Sequence, residues 1–408
     1  MAMSTSATDR KRACDLAIVG GGIAGSSLAI VMARLGFDVV VLEKERQFRD
    51  RVRGEVIYPW GVAEVTRLGL YADFTQGCGR VIEFDTDHIG GVTLQPMRYK
   101  DVSPDKVSAL SFPHPQMQEQ LLTRAIEAGV EVHRGAVLGD IRPSNTPELD
   151  FHVDGEERSL SARLIVGADG RESRVLQKLK FTQERDPEKL YTAGVQLRGF
   201  SENPSSVHFF LDDAEGFGSV VIETAPCNHR AYLLYHKDAL PHRPSGTRDY
   251  ELVMDRFRKL GFPDTWLEQA EPHGILASFD GAHRWVNRAS NGGVTLIGDA
   301  AGSSDPVWGN GLSRSLRSVR LLRDRLLSDN NWATAAEAYA EDHLKDFLNL
   351  RRLERTMAEL NFSMGADALA RRNRAWKLIE KEPELAIRIS LYGPDRQISD
   401  YDLSRLLN

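Results

Sequence analysis

Three turns in this sequence set glycine and a carboxylate or an open helix start at the end of an apolar run. The first, Gly20-Gly21-Gly22-Ile23-Ala24-Gly25, has the spacing G-x-G-x-x-G, and Glu43 with Lys44 beside it closes the next apolar run. The second is Asp169-Gly170. The third, Gly298-Asp299-Ala300-Ala301, continues through Pro306, Gly309 and Gly311 to Leu312. In the first turn Gly20 makes the tight bend, Gly22 lets backbone approach a pyrophosphate, and Gly25 lets a helix sit close on a strand. Ile23 and Ala24 open that helix, whose first amides carry partial positive charge for phosphates. Glu43 is placed to accept a hydrogen bond from a ribose hydroxyl. The Asp169-Gly170 turn exposes backbone donors and a carboxylate, and is equally compatible with an ordinary strand–turn–helix. In the third turn Pro306, Gly309 and Gly311 let backbone come close to a flat ligand, and the Gly311-Leu312 amides begin a helix.

The elements that hold these turns follow from periodicity. Residues 16–19 and 37–42 are short apolar runs of buried-strand type, and small residues from Ser26 onward have helical spacing between them. Together they make a βαβ unit. A charged loop, 44–53, holds Arg46, Arg49, Arg51 and Arg53, the first three read as solvated. Residues 62–70 are helical, 80–111 alternate like strands that leave the first domain, and 130–133 is a short strand. Over 116–128, Met117, Leu121, Leu122 and Ala125 share one helix face. Asp154-Gly155 between 150–153 and 160–166 signals a type I′ hairpin. Residues 186–280 predict a mostly antiparallel sheet with one helix at 249–260, a plausible pocket wall. The third turn leads into an amphipathic helix to about residue 327. Residues 332–407 are helical and charge-rich, with Arg351-Arg352 and Arg371-Arg372 read as solvated faces.

The chain has 408 residues, 41% hydrophobic and 27% charged, long enough for two or three domains of an ordinary globular protein. A net charge of −6 argues against nucleic acid as a partner. Cys14, Cys78 and Cys227 are too scattered for a disulfide framework or a metal cluster. Residues 1–12 lack an apolar core and read as a frayed tail without a signal peptide. The longest apolar stretch is broken by glycines, so no membrane span is expected, and the compartment expected is the cytoplasm.

The three turns, in this order, resemble those of the FAD-dependent group A flavoprotein monooxygenases, the para-hydroxybenzoate hydroxylase-like aromatic hydroxylases, over roughly residues 14–330. Gly20, Gly22, Gly25 and Glu43 match the family's ADP-binding motif. Asp169-Gly170 matches its Asp-Gly motif, which serves FAD and indirectly NAD(P)H. Gly298, Asp299 and Pro306 match its third motif, whose aspartate binds the ribityl chain. Arg53 falls where the family has a flavin-contacting arginine. Departures are Gly302 for a histidine, Ser313 for an asparagine, and His114-Pro115 for an arginine at the start of the crossover helix; His114 is kept among the cofactor candidates. Gly302-Ser-Ser-Asp305-Pro306 and Arg53-Gly54-Glu55 also resemble geranylgeranyl-reductase-like and halogenase-like relatives.

The resemblance implies an α/β fold: a Rossmann-like FAD-binding domain (1–85, 105–180 and 284–330), an inserted antiparallel substrate domain (86–104 and 181–283) and a C-terminal helical region (331–408). It implies an enzyme in which NADPH or NADH reduces FAD and a flavin C4a-hydroperoxide hydroxylates or epoxidises a lipophilic, aromatic or polycyclic small molecule. Trp308, Pro306 and the sheet's aromatics would keep that site dry. The partners are then the organic substrate and O2, with a homodimer one arrangement left open. No acid or base is assigned: His208, His236 and Tyr235 fall on predicted strands and are read as structural, and no metal site is expected. A halogenase is the first alternative, although the W-x-W-x-I-P segment is missing. A saturase-like reductase and a flavin scaffold without catalysis are the others.

Overall fold

A computed structural model describes residues 12–200, 205–212 and 215–408, so the expectation for the head concerns residues that lie almost wholly outside it. The first sheet is mixed, with a parallel middle in the order Glu131–Arg134, Val39–Glu43, Arg12–Val19, Glu156–Gly167, Val294–Leu296 and with Val137–Arg142, Glu148–Val153 and Ser290–Asn291 joined antiparallel. Its inner strands carry unbroken apolar runs because both faces are covered: Leu16, Ala17, Ile18, Val40 and Val41 are fully buried. Helix Ile23–Arg34 crosses between the first two strands, and helices His114–Glu127 and Gly311–Ser328 pack against it. Each large apolar side chain buried there stabilises the fold by roughly 1.5–3 kcal/mol. The second strand begins at Val39, two residues later than expected, because Phe37 turns aside to pack on the Trp332 ring at 5.2 Å.

The hairpin at Asp154-Gly155 has the geometry its residues demand, with φ of 53° and 85° at the two turn positions. A second sheet runs Glu271–Asp280, Leu190–Arg198, Asn228–His236, Phe217–Ala225, Ser206–Leu211, Phe84–Ile89. Its pairings are antiparallel except the last, where Phe84–Ile89 lies parallel to Ser206–Leu211. Helix Tyr250–Lys259 and the short turn Asp264–Leu267 cover its outer face through Val253, Phe257 and Phe262. The inner face, with Val207, Val220, Ile222 and Leu234, meets Tyr58, Val307 and Trp308. The third glycine turn therefore stands between the two sheets.

The C-terminal region is helical, led by Trp332–Phe362 and Ala366–Lys381. Its arginine pairs are not the solvated faces the charge pattern suggested. Arg372 is fully buried and donates to the Leu360 and Ser363 carbonyls at the end of the preceding helix, while Arg351 holds Asp186. Arginine suits such carbonyl-binding positions because it presents several fixed donors. Among the described residues no helix is long and apolar enough to cross a membrane.

Candidate functional site

The three turns converge, and the glycines show why. A Cβ on Gly20 would fall 2.5 Å from the Ala168 carbonyl oxygen and 2.8 Å from Asp169 Cα, so the first turn touches the second. One on Gly25 would fall 1.9 Å from the Gly20 carbonyl oxygen, and one on Gly298 would lie 3.2 Å from the Ala24 methyl, which joins the first turn to the third. Gly22 and Gly311 differ. A Cβ on Gly22 would meet only the Gln118 amide at 3.6 Å, and one on Gly311 no protein atom within 4 Å. Helices Ile23–Arg34 and Gly311–Ser328 both start without a side-chain cap or an acidic residue in the first turn. Their first amides are thus left for an outside acceptor. Room over two glycines, each beside an uncapped helix start, fits a long dinucleotide bound at its phosphate end by Gly22 and at its ring end by Gly311.

Glu43 is buried and already used within the loop: Oε2 accepts from the Gly21 amide at 2.7 Å and Oε1 from the Glu45 amide at 2.7 Å. It ties the glycine turn to the end of its strand, with Lys44 exposed alongside. Asp169 accepts from the Ser173 hydroxyl at 2.6 Å and the Arg174 amide at 2.6 Å, opening the short helix Arg174–Lys178. This is the ordinary strand–turn–helix job, and burial still pushes its carboxyl upward against those bonds. Asp299 is half-buried and takes one bond at 3.1 Å from Arg314, a buried guanidinium on the helix below. Pro306 and Gly309 are half-exposed beside it, and Gly309, at φ 63°, lies against the Tyr58 ring. Two of the departures from the resembled motifs have packing reasons. A Cβ on Gly302 would come 3.0 Å from the Phe347 ring, leaving no space for an imidazole, and Ser313 fits beneath Gly61, whose Cβ would clash with its hydroxyl at 2.2 Å.

Arg53 is exposed, its guanidinium 5.3 Å from the Phe279 ring centre on the second sheet. His114 donates from Nδ1 to the Gly54 carbonyl at 2.7 Å, which fixes the turn that leans on Leu312. Burial holds that imidazole below its ordinary pKa, partly offset by the Gly54 bond, so it sits there neutral. Beside it opens a cleft of about 190 Å³ lined by Asp50, Glu55, His114, Gln116, Gln196 and Arg230. The acid–base candidates lie elsewhere. His208 bonds His88 at 3.1 Å and packs on Trp266, Tyr235 packs on Phe217, both on the outer face, and His236 sits near Asp238.

Sequence reading missed a chain of buried polar groups behind the third turn. Asn310 accepts from the Trp60 indole at 3.1 Å and donates to Glu354 at 2.9 Å; Glu354 accepts from His283 at 2.7 Å; His283 faces Asp186 at 3.4 Å. Burial alone would lower the His283 pKa, but Asp186 and Glu354 outweigh it and hold it up at about 9. A pKa raised above its unfolded value of about 6.5 adds stability that is complete below pH 6.5 and lost as pH rises through 9. Urea unfolding of the protein should therefore lose about 2–3 kcal/mol between pH 6.5 and 9, and His283→Gln should flatten that slope. An unchanged slope in the variant would assign the loss to other groups.

The fold and turns have parallels. The family model described as "FAD binding domain" matches residues 13–338. Squalene monooxygenase of Mus musculus is 24% identical over 350 residues, covering 77% of this chain and 55% of that protein. Kynurenine 3-monooxygenase of Salinispora tropica is 26% identical over 369 residues, covering 79% of this chain and 74% of that protein. The chain thus spans little more than half of the first relative and about three quarters of the second. The crystal structure of p-nitrophenol 4-monooxygenase PnpA from Pseudomonas putida superposes with a TM-score of 0.79 at 19% identity, over 95% of this chain and all of that one.

Proposed function

We propose, for a chain that belongs to the FAD binding domain family and is an FAD-dependent oxidoreductase, that it is a monooxygenase whose bound FAD takes hydride from NADPH or NADH and whose substrate is a lipophilic aromatic or polycyclic compound. The observation that carries this reading is the line from Gly22 to Gly311, which has room at both ends and an uncapped helix start beside each. When bound, FAD supplies hydride acceptance and oxygen activation. The chain supplies position, charge and dryness. Gly22, Ile23 and Ala24 present backbone to the pyrophosphate, with Gly20 and Gly25 shaping that turn and Glu43 and Lys44 at the adenosine side. Asp299, on its Gly298 turn, accepts hydrogen bonds from the ribityl chain and so sets where the ring lies. The Gly311 and Leu312 amides begin an 18-residue helix and favour negative charge at the ring's edge. Pro306 and Gly309 shape its floor, Arg53 and His114 flank it, and Asp169-Gly170 holds the turn through which the donor approaches. Tyr58, Val307 and Trp308, all buried, keep water from the reacting face.

The test is direct. Purified protein should be yellow, bleach anaerobically with NADPH or NADH, and consume oxygen with members of a phenolic and polycyclic panel. Bleaching only through a separate reductase would replace this reading with the halogenase one. Reduction of a substrate double bond without oxygen uptake would replace it with the saturase one.

A further inference from the structure

Strand Phe84–Ile89 carries two carboxylates where an apolar pair would be expected. Side chains alternate across a strand, and Asp85 and Asp87 stand opposite Val207 and Phe209 in the register, so all four share the inner face. That is the face toward Tyr58, Val307 and Trp308, above the third glycine turn. The residue just before the strand, Glu83, behaves as a surface acid should and pairs with Arg98 at 3.1 Å. Asp85 and Asp87 make no ion pair among the described residues, and both remain half-buried rather than sealed; Asp85 draws on the Tyr99 hydroxyl, while Asp87 has no side-chain hydrogen bond there. Burial, and for Asp85 the neighbouring carboxylate, pushes both pKa values upward.

Two tyrosines face the pair. Tyr99 is fully buried, and its hydroxyl reaches only Asp85, in a poorly aligned contact that leaves it short of a full hydrogen bond. Its amide bonds the Glu83 carbonyl at 2.9 Å, which sets the ring beside Asp85. Tyr58 is more than nine-tenths buried, close enough to both carboxylates to feel their charge, and its ring lies against Gly309 of the turn. A carboxylate with one poorly aligned donor, or none, is costly in such surroundings, and two side by side repel. A cation seated between them relieves both costs, and the faces of Tyr58 and Phe209 favour a cation over a neutral group.

We propose that Asp85 and Asp87, with the hydroxyls of Tyr58 and Tyr99, form the polar end of the substrate site and select a lipophilic substrate bearing a basic nitrogen. This rests on the monooxygenase reading of the same site and narrows its substrate class. The pair binds and orients the protonated amine, so the carbon to be oxidised is held at a fixed reach from Gly309 and Gly311.

Calorimetric titration of FAD-loaded protein with tryptamine and with indole-3-ethanol, and with octylamine and octanol, tests this. At least one amine should bind about tenfold or more tightly than its alcohol. The double variant Asp85→Asn/Asp87→Asn should lose that preference to within about twofold while its flavin content stays at the wild-type level. No preference in the wild-type protein, no binding by either amine, or a preference that survives in the double variant overturns the proposal. The same titrations on flavin-free protein read the preference independently. Failure of NADPH to bleach the flavin would strike the monooxygenase reading and leave this result standing.

Discussion

Gly22→Val is expected to fold as the wild-type protein does and to bind FAD at least about tenfold more weakly. Gly25→Ala, a smaller change three residues on, is expected to destabilise the flavin-free protein by about 3 kcal/mol or more. The contrast follows from what each missing side chain would meet. Gly22 has φ −73°, open to any residue, and its Cβ would point into room beside the Gln118 amide. A valine there strains nothing in the protein and occupies the approach to the helix start. Gly25 is buried, and its Cβ would stand 1.9 Å from a backbone oxygen, a clash that only separation of helix from strand relieves. Urea unfolding without flavin and FAD titration by fluorescence quenching measure the two effects separately. Asp299→Ala should weaken FAD binding as Gly22→Val does but should also cost stability, because it leaves the buried Arg314 guanidinium with the Gly302 carbonyl and no carboxylate. Normal flavin affinity in Gly22→Val would sink the assignment of this turn to the cofactor.

The parts legible in the sequence are those whose causes are local. The βαβ unit declares itself through apolar runs buried on both faces, and the hairpin through Asp154-Gly155, whose positive φ values few other dipeptides accept. The inner-face acids were illegible for a physical reason. In a strand with alternating side chains, Asp85 and Asp87 look like a solvent face, and only the second sheet's position over Tyr58 turns that face inward. Arg372 misled in the same way: within a charged helix it reads as surface, and its partners include the carbonyls at the end of the helix that precedes it and that of Asp212. Glu354, His283 and Asn310 come from three distant stretches, and no spacing announces that they meet. His208 and Tyr235 show the converse. Their residue types can do chemistry, their place on predicted strands had them read as structural, and the strand register puts them on the covered side, against Trp266 and Phe217.

Arg230→Met is expected to cost about 3–5 kcal/mol of stability, and the pair Glu55→Gln/Arg230→Met much less. Arg230 is 1% exposed, donating from Nε to Glu55 at 3.1 Å and from Nη2 to Asp50 at 2.7 Å, while Tyr232 on the same strand bonds the other Glu55 oxygen. Burial works against the guanidinium's charge, and the Glu55 and Asp50 carboxylates outweigh it. Take the arginine away and Glu55, 2% exposed as a side chain, is a charge with no counterpart. Replace both and the desolvation problem disappears with the attraction, so a double-mutant cycle should show a coupling of about 2 kcal/mol or more. The consequence reaches the cofactor. Arg230 belongs to the second sheet and Glu55 follows Gly54, which rests on Leu312 and is held by His114. This ion pair is therefore the strut that sets the substrate sheet against the turn beside the ring. Arg230→Met should weaken FAD binding as well as the fold, and the double variant should recover stability more fully than affinity, because a methionine–glutamine contact does not fix the loop as two charged bonds do. A cost below about 1 kcal/mol for Arg230→Met would mean that the pair is solvated and that the sheet is positioned by its apolar contacts alone.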